Sequence, residues 1–209
     1  MSDQIKTNFD ERAANWEKPQ QIIMANGVAA TMICALEPTS DMSVMDYGCG
    51  SGLVTMSFQP LVRQVVGVDS SRGMLEVFQN KVSRLGFENV SSQLADLEEE
   101  DKIEGEFDLI VSSMAFHHVR KLPELLKRLY DHMVPGGSIG IADLDKEDGT
   151  FHSDNTGVAH FGFDRKMLKK LFEEAGFHDI RDVTSTTVER ETEGKGKRQY
   201  TIFLMTGKK

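Results

Sequence analysis

Three aspartates, a run of alternating glycines and a histidine pair carry the chemistry legible in this sequence. Asp46 closes the apolar run Val44-Met45, and Gly48, Gly50 and Gly52 follow at every second position before Leu53-Val54 resumes an apolar segment. Glycine lacks Cβ, so such a turn can take positive φ and let a ligand approach the main chain. A helix starting at Leu53 would add unpaired N–H groups and a positive dipole end, which suit an anionic or strongly polar group. The dinucleotide pattern G-x-G-x-x-G needs a small third residue three places after the second glycine. Here that place is Leu53, so the pattern is D-x-G-x-G-x-G instead. Asp69 closes a second run, Gln64-Val65-Val66-Gly67-Val68, and a carboxylate at the end of a second parallel strand can accept both hydroxyls of a ribose. Asp96 closes a third, weaker run, Val90 to Ala95. His117-His118 follows the run Phe107–Met114, and imidazole titrates near neutral pH, as a general base requires. One of the two is expected to face a crevice, and their adjacency does not say which.

The elements that must hold these residues read in order. Pro19 opens a helical pattern with Ile22, Ala29, Ile33 and Leu36 on one face, ended by Pro38. Phe9 and Trp16, ahead of it, either close a site or pack this helix onto the domain. After Asp69, Ser70 can cap a helix whose apolar face is Met74, Leu75, Phe78, Val82 and Leu85, with Gly86 as its stop. Met74 falls in its first turn, close enough to Asp69 to pack on a base, though it also reads as core. Val90, Ser92 and Leu94 alternate as an edge strand, and residues 98–101 read as a solvated acidic loop. Pro123 opens a helix burying Leu122, Leu125, Leu126, Leu129 and Met133, and the Pro135-Gly136-Gly137 turn feeds a strand from Ile139 to Leu144. Asp164 caps a helix carrying Met167, Leu168, Leu171, Phe172 and Ala175, ended by Gly176. Two strands, Ile180–Arg190 and Lys197–Thr206, close the chain through the turn at 193–196.

At 209 residues one domain is expected, with 39% hydrophobic and 27% charged residues. A net charge of −9 argues against a nucleic-acid footprint, because phosphate contacts need a basic face. No run reads as long enough to span a bilayer, so no membrane partner is expected. Cys34 and Cys49 sit in no metal or redox spacing, which fits a cytoplasmic setting. Between Asp143 and Phe163 the chain is polar; Asp143, Asp145, His152 and His160 there match no ligand spacing, so no metal is expected.

The ordered set of glycine turn, acid after strand two, acid after strand three, Phe107-Asp108-Leu109-Ile110-Val111 strand and Pro-Gly-Gly turn resembles the class I S-adenosylmethionine (SAM) dependent methyltransferases. That resemblance covers roughly residues 40–209, with residues 1–39 as a helical lid or cap of the same domain. It implies an α/β fold: a Rossmann-like, doubly wound, seven-stranded, mostly parallel sheet, last strand antiparallel, helices on both faces. It implies that Gly48, Gly50 and Gly52 admit the methionine part of SAM, with Asp46 bracing the turn or meeting the cofactor's amino group. Asp69 would take the ribose hydroxyls and Asp96 the adenine amino group, Met74 could pack on the adenine face, Ser70 and Leu97 would also line the cofactor, and the main chain around Ser112 would line the methionine end. The implied reaction is in-line methyl transfer to a small-molecule acceptor, leaving S-adenosylhomocysteine, with His117 or His118 as base. Ser112-Ser113-Met114-Ala115 is not the N-P-P-Y type sequence of enzymes that methylate exocyclic amines of DNA. The rival readings are a SAM-binding partner or sensor subunit without transfer activity and an NAD-dependent oxidoreductase, which the glycine spacing disfavours.

Overall fold

Apolar runs without polar alternation must be covered on both faces, and such runs form the parallel body of one sheet. In the computed structural model, residues 9–96, 99, 102–192 and 196–209 are described. Strands β1 (Ser43–Tyr47), β2 (Gln64–Asp69), β3 (Val90–Leu94), β4 (Phe107–Ser113) and β5 (Met133–Leu144) lie parallel. β6 (His178–Thr192) and β7 (Gly196–Lys208) complete the seven-stranded order β3-β2-β1-β4-β5-β7-β6, with β7 antiparallel to both neighbours. This is the expected architecture. The expectation for Leu97, and those for most of the 98–101 loop and the 193–195 turn, lie outside the described residues.

Helices α1 (Pro19–Leu36), α2 (Leu53–Phe58), α3 (Arg72–Leu85), α4 (Leu122–Asp131) and α5 (Arg165–Ala175) cover the sheet. Strand side chains alternate between the faces. Val44, Leu109, Val111 and Leu144 cluster with Val28 and Met32 of α1 and Phe58 of α2. Met45, Ile110, Ile139 and Ile141 cluster instead with Leu126 and Leu129 of α4 and Phe172 of α5. Each such side chain contributes roughly 1.5–3 kcal/mol on burial.

Several element details differ from the sequence reading. α1 buries Ala25, Val28, Ala29, Met32 and Leu36, an i, i+3, i+4, i+7 stripe rotated away from Ile22, which is exposed. Its 18 residues are also long and apolar enough to cross a membrane by length and composition, against the expectation that no run is; here Val28 and Met32 are fully buried inside the domain. Ser71, not Ser70, caps α3: its Oγ accepts the Met74 N–H at 3.1 Å. Leu85 is exposed, as the last helical residue before the left-handed Gly86. Met133 belongs to β5 rather than α4, because pairing jumps from Phe107–Met133 to Leu109–Ser138 and the Pro-Gly-Gly segment loops out between. Met167 is exposed, since α5 turns Leu168, Phe172 and Ala175 inward.

Candidate active site

The chain leaves β1 toward β2 and β3, then returns to place β4 on the other side of β1. Such a switch point opens a crevice beyond the carboxyl ends of the strands. Here a cleft of about 1030 Å³, open mouth included, is lined from β1 by Asp46, Gly48 and Gly50, from β2 by Asp69 and Ser70, and from β4 by Ser113, Met114 and Ala115. The two exit loops touch: a Cβ on Gly48 (φ +67°) would lie 2.4 Å from the Ala115 Cβ. Gly50 differs, because a Cβ there would find only the Met74 sulfur, at 4.0 Å, so the main chain at φ +52° faces open space. Gly52 does not line the cleft; its Cβ would strike the Phe78 ring at 2.6 Å, so its small size serves helix packing.

Asp69 locks this turn. Its two carboxylate oxygens accept the Gly50 and Ser71 N–H groups, each at 2.8 Å, and burial raises its pKa. Asp46 accepts the Thr55 hydroxyl at 2.6 Å, and burial, opposed by that bond and reinforced by Asp69, pushes its pKa up to about 7. Met74 lines the cleft, as expected. Asp96 is buried, but the cleft wall at β3 is made by Ala95. Ser112 is fully buried inside β4, and the wall falls to Ser113 and Met114, one and two residues later, where the strand ends. Met114 adopts φ +56°, unusual for a residue with a side chain, and its N–H bonds the Ala142 carbonyl at 2.9 Å.

Phe9 and Trp16 both line the cleft and meet edge to face at 5.8 Å. Asp10 anchors them to the start of α3: its Oδ1 accepts the Ser71 hydroxyl at 2.5 Å and the Gly73 N–H at 2.8 Å. Glu17 pairs with Lys81 farther along that helix. No pattern in the sequence distinguishes Asp10 from its charged neighbours.

Of the histidine pair, His118 lines the cleft, with Phe9 edge-on at 5.1 Å, while His117 is buried behind it. His118 Nδ1 donates to the Gly157 carbonyl at 2.9 Å, which leaves Nε2 as an acceptor. Burial, with His117 beside it, pushes the His118 pKa down to about 3, so it does not titrate near neutrality as expected. His117 Nδ1 meets Asp143 Oδ1 at 2.7 Å, and its own N–H bonds Asp143 Oδ2 at 3.1 Å. Asp143 is fully buried and is the last residue but one of β5, so it belongs to the strand expected from Ile139 to Leu144 rather than to the polar segment after it. Its signal was available: like Asp46 and Asp69, it is an acid at the end of an apolar strand. His152 packs 5.0 Å from His117 and 5.9 Å from His118. Burial, with His117 and Arg190 nearby, pushes its pKa down to about 4. The Asp145 side chain is held by Arg165 and the His160 ring by the Val119 carbonyl, although the His160 N–H bonds the His117 carbonyl at 3.0 Å.

A sheet of this order, with an acid-braced glycine turn at its switch point, defines the class I SAM-dependent methyltransferases. A methyltransferase domain model matches residues 24–181, and the chain belongs to that family. It is 29% identical over 194 residues to an uncharacterized methyltransferase of Schizosaccharomyces pombe, spanning 81% of this chain and 68% of that protein. It is 32% identical over 142 residues to the uncharacterized methyltransferase YcgJ of Bacillus subtilis, 62% of this chain and 56% of that one. The YcgJ crystal structure superposes with a TM-score of 0.73 at 16% identity, covering 87% and 97% of the two chains. A Haemonchus contortus phosphoethanolamine N-methyltransferase 2 solved with SAM gives 0.69 at 16% identity, covering 87% and 52%. Both structures share the fold.

Proposed function

We propose that this chain transfers the methyl group of SAM to a small-molecule acceptor held beneath Phe9 and Trp16 and against His118. One observation carries this reading: the open main chain at Gly50, the Asp69 carboxylate and the His118 ring face a single cleft roofed by two aromatic side chains. The residues present fit the cofactor. The hollow over Gly50 is one that any Cβ would narrow, and Asp69 retains lone pairs for ribose hydroxyls beyond those used by Gly50 and Ser71. Asp46 offers a carboxylate to an ammonium group, which would favour its ionised form. Met74 and Ala95 supply apolar surface for a base. Ser113 and Met114, next to Ser112, line the cleft where the methionine end is placed.

When bound, SAM supplies a methyl group on a sulfonium, a leaving group that needs no acid. The protein's work is then orientation and exclusion of water. Phe9 and Trp16 cover the cleft, and His118 Nε2 can accept a hydrogen bond from the acceptor and so aim its lone pair. At a pKa of about 3, His118 orients rather than stores a proton. The roof and the net charge of −9 support a small acceptor over a nucleic acid.

Calorimetric titration with SAM, S-adenosylhomocysteine and NADH, followed by labelled SAM with a panel of hydroxyl, thiol and amine acceptors, tests the reading. Binding of the first two with methyl transfer above solvent background is expected. NADH binding instead would point to the oxidoreductase, and SAM binding without transfer to any acceptor would favour the silent subunit.

A further inference from the structure

We propose that His117, His118 and His152 form a binding site for a divalent first-row transition metal ion, with Zn²⁺ the ion their donors fit best. Each offers one ring nitrogen, and these three atoms lie within 4.8 Å of one another. Two of the rings are already oriented as ligands are. The Nδ1 of His117 is held by Asp143 and that of His118 by the Gly157 carbonyl, so both Nε2 lone pairs are free for a ligand role. A carboxylate or carbonyl behind each imidazole is the usual support of a metal-bound histidine. His117 Nε2 supplies an independent sign: it is buried, in a residue only 1% exposed, and has no hydrogen-bond partner. A buried polar atom left unpaired is destabilising, and an ion would supply the missing partner.

Tetrahedral ligation at about 2.0–2.1 Å sets nitrogens about 3.3 Å apart. Closure from 4.8 Å therefore asks for no more than about 1.5 Å of movement at the widest pair. His152 is half-buried in the loop after β5, where its described contacts are ring packing on Phe151, His117 and His118 and the nearby charges of Asp143 and Arg190. Three imidazoles without a carboxylate among the donors favour zinc, cobalt, nickel or copper over magnesium or calcium. The spacing hides the site in the sequence, because the ligands come from two loops, after β4 and after β5.

Three protein ligands leave one position open. His118 Nε2 has a single lone pair, so with the ion bound the open position, rather than that nitrogen, meets the acceptor at the cleft that His118 lines, and an ionisable oxygen or sulfur would be its natural occupant. Asp143 is the only carboxylate described as bonded to these rings, so site and ion together carry a net positive charge that such an anion balances. This use of the ion, though not the site itself, rests on the methyl-transfer reading.

The full chain, stripped with a chelator and dialysed, is titrated with Zn²⁺ against a chromophoric competitor and with Co²⁺ by visible absorption. One equivalent of Zn²⁺ bound at micromolar affinity or tighter, with Co²⁺ bands of tetrahedral type, is expected. His152→Ala and His118→Ala should each weaken Zn²⁺ at least tenfold. Asp143→Asn should weaken it about 10–100-fold, the range for a lost support. Absence of stoichiometric binding in the wild type, or unchanged affinity in His152→Ala, would overturn the site. SAM affinity is measured on the same samples: retained SAM binding with no metal binding rejects the metal alone, whereas lost SAM binding in the wild type rejects the methyl-transfer reading.

Discussion

Asp46 sits at about pKa 7 because burial outweighs the Thr55 hydroxyl bond. Its folded value lies above the ordinary 3.8, so its full stabilising contribution is present below about pH 4 and is lost as pH rises to about 7. Asp46→Asn should therefore gain stability over wild type, and gain more at pH 8 than at pH 5 by on the order of 2 kcal/mol, in urea titrations. An equal gain at both pH values would contradict the assignment. The same residue couples to the cofactor: an ammonium placed beside it would release its proton near pH 7, so the heat of SAM binding should vary with buffer ionisation enthalpy. At Asp69, replacement by Ala should weaken SAM binding by about 1.5–3 kcal/mol, the range for bonds to a charged group; unchanged affinity would remove the ribose role. His118→Ala should lower turnover more than SAM affinity, and equal losses would mark it as structural.

The cap over the cleft is an element defined by two contacts, Asp10 on the first turn of α3 and the edge-to-face rings of Phe9, Trp16 and His118. Gly73 permits the close approach, since a Cβ there would fall 2.8 Å from the Asp10 Cα. Gly73→Ala should push the cap off α3 while leaving the helix itself intact. Trp16 fluorescence should respond to SAM in the wild type and respond less in this variant, with several-fold weaker binding. A wild-type signal that stays flat despite proven binding would show that these residues only pack. The sequence reading had both outcomes open at Phe9 and Trp16, because an aromatic in a polar stretch reads alike whether it covers a site or a helix.

At the scale of the molecule, β7 is the strand that closes the core. Ile202, Phe203, Leu204 and Met205 are all fully buried, two on each face, and β7 supplies the antiparallel partner of β5. A fragment ending at residue 181 would lose these four side chains, roughly 1.5–3 kcal/mol each. That sum is comparable to the whole stability of a typical domain. Such a fragment should show no cooperative urea transition and no SAM binding; a two-state transition would mean that the five parallel strands stand alone.

The places of the strands along the chain, the strand-end acids and the glycine turn were legible in the linear chain, because local periodicity and steric demand are properties of neighbouring residues, whereas the arrangement of the sheet came from the family resemblance. The burial of Ser112 beside a Ser113 that lines the cleft, the choice of His118 over His117 and the partnership of Asp143 were not. Each depends on where a strand ends relative to another strand far away in sequence, and a one-residue difference there turns a side chain to the opposite face. The three-histidine cluster belongs to the same class of fact. It exists only because the loops leaving β4 and β5, 26 residues apart at the bond between His117 and Asp143, are laid side by side by the parallel pairing of their strands.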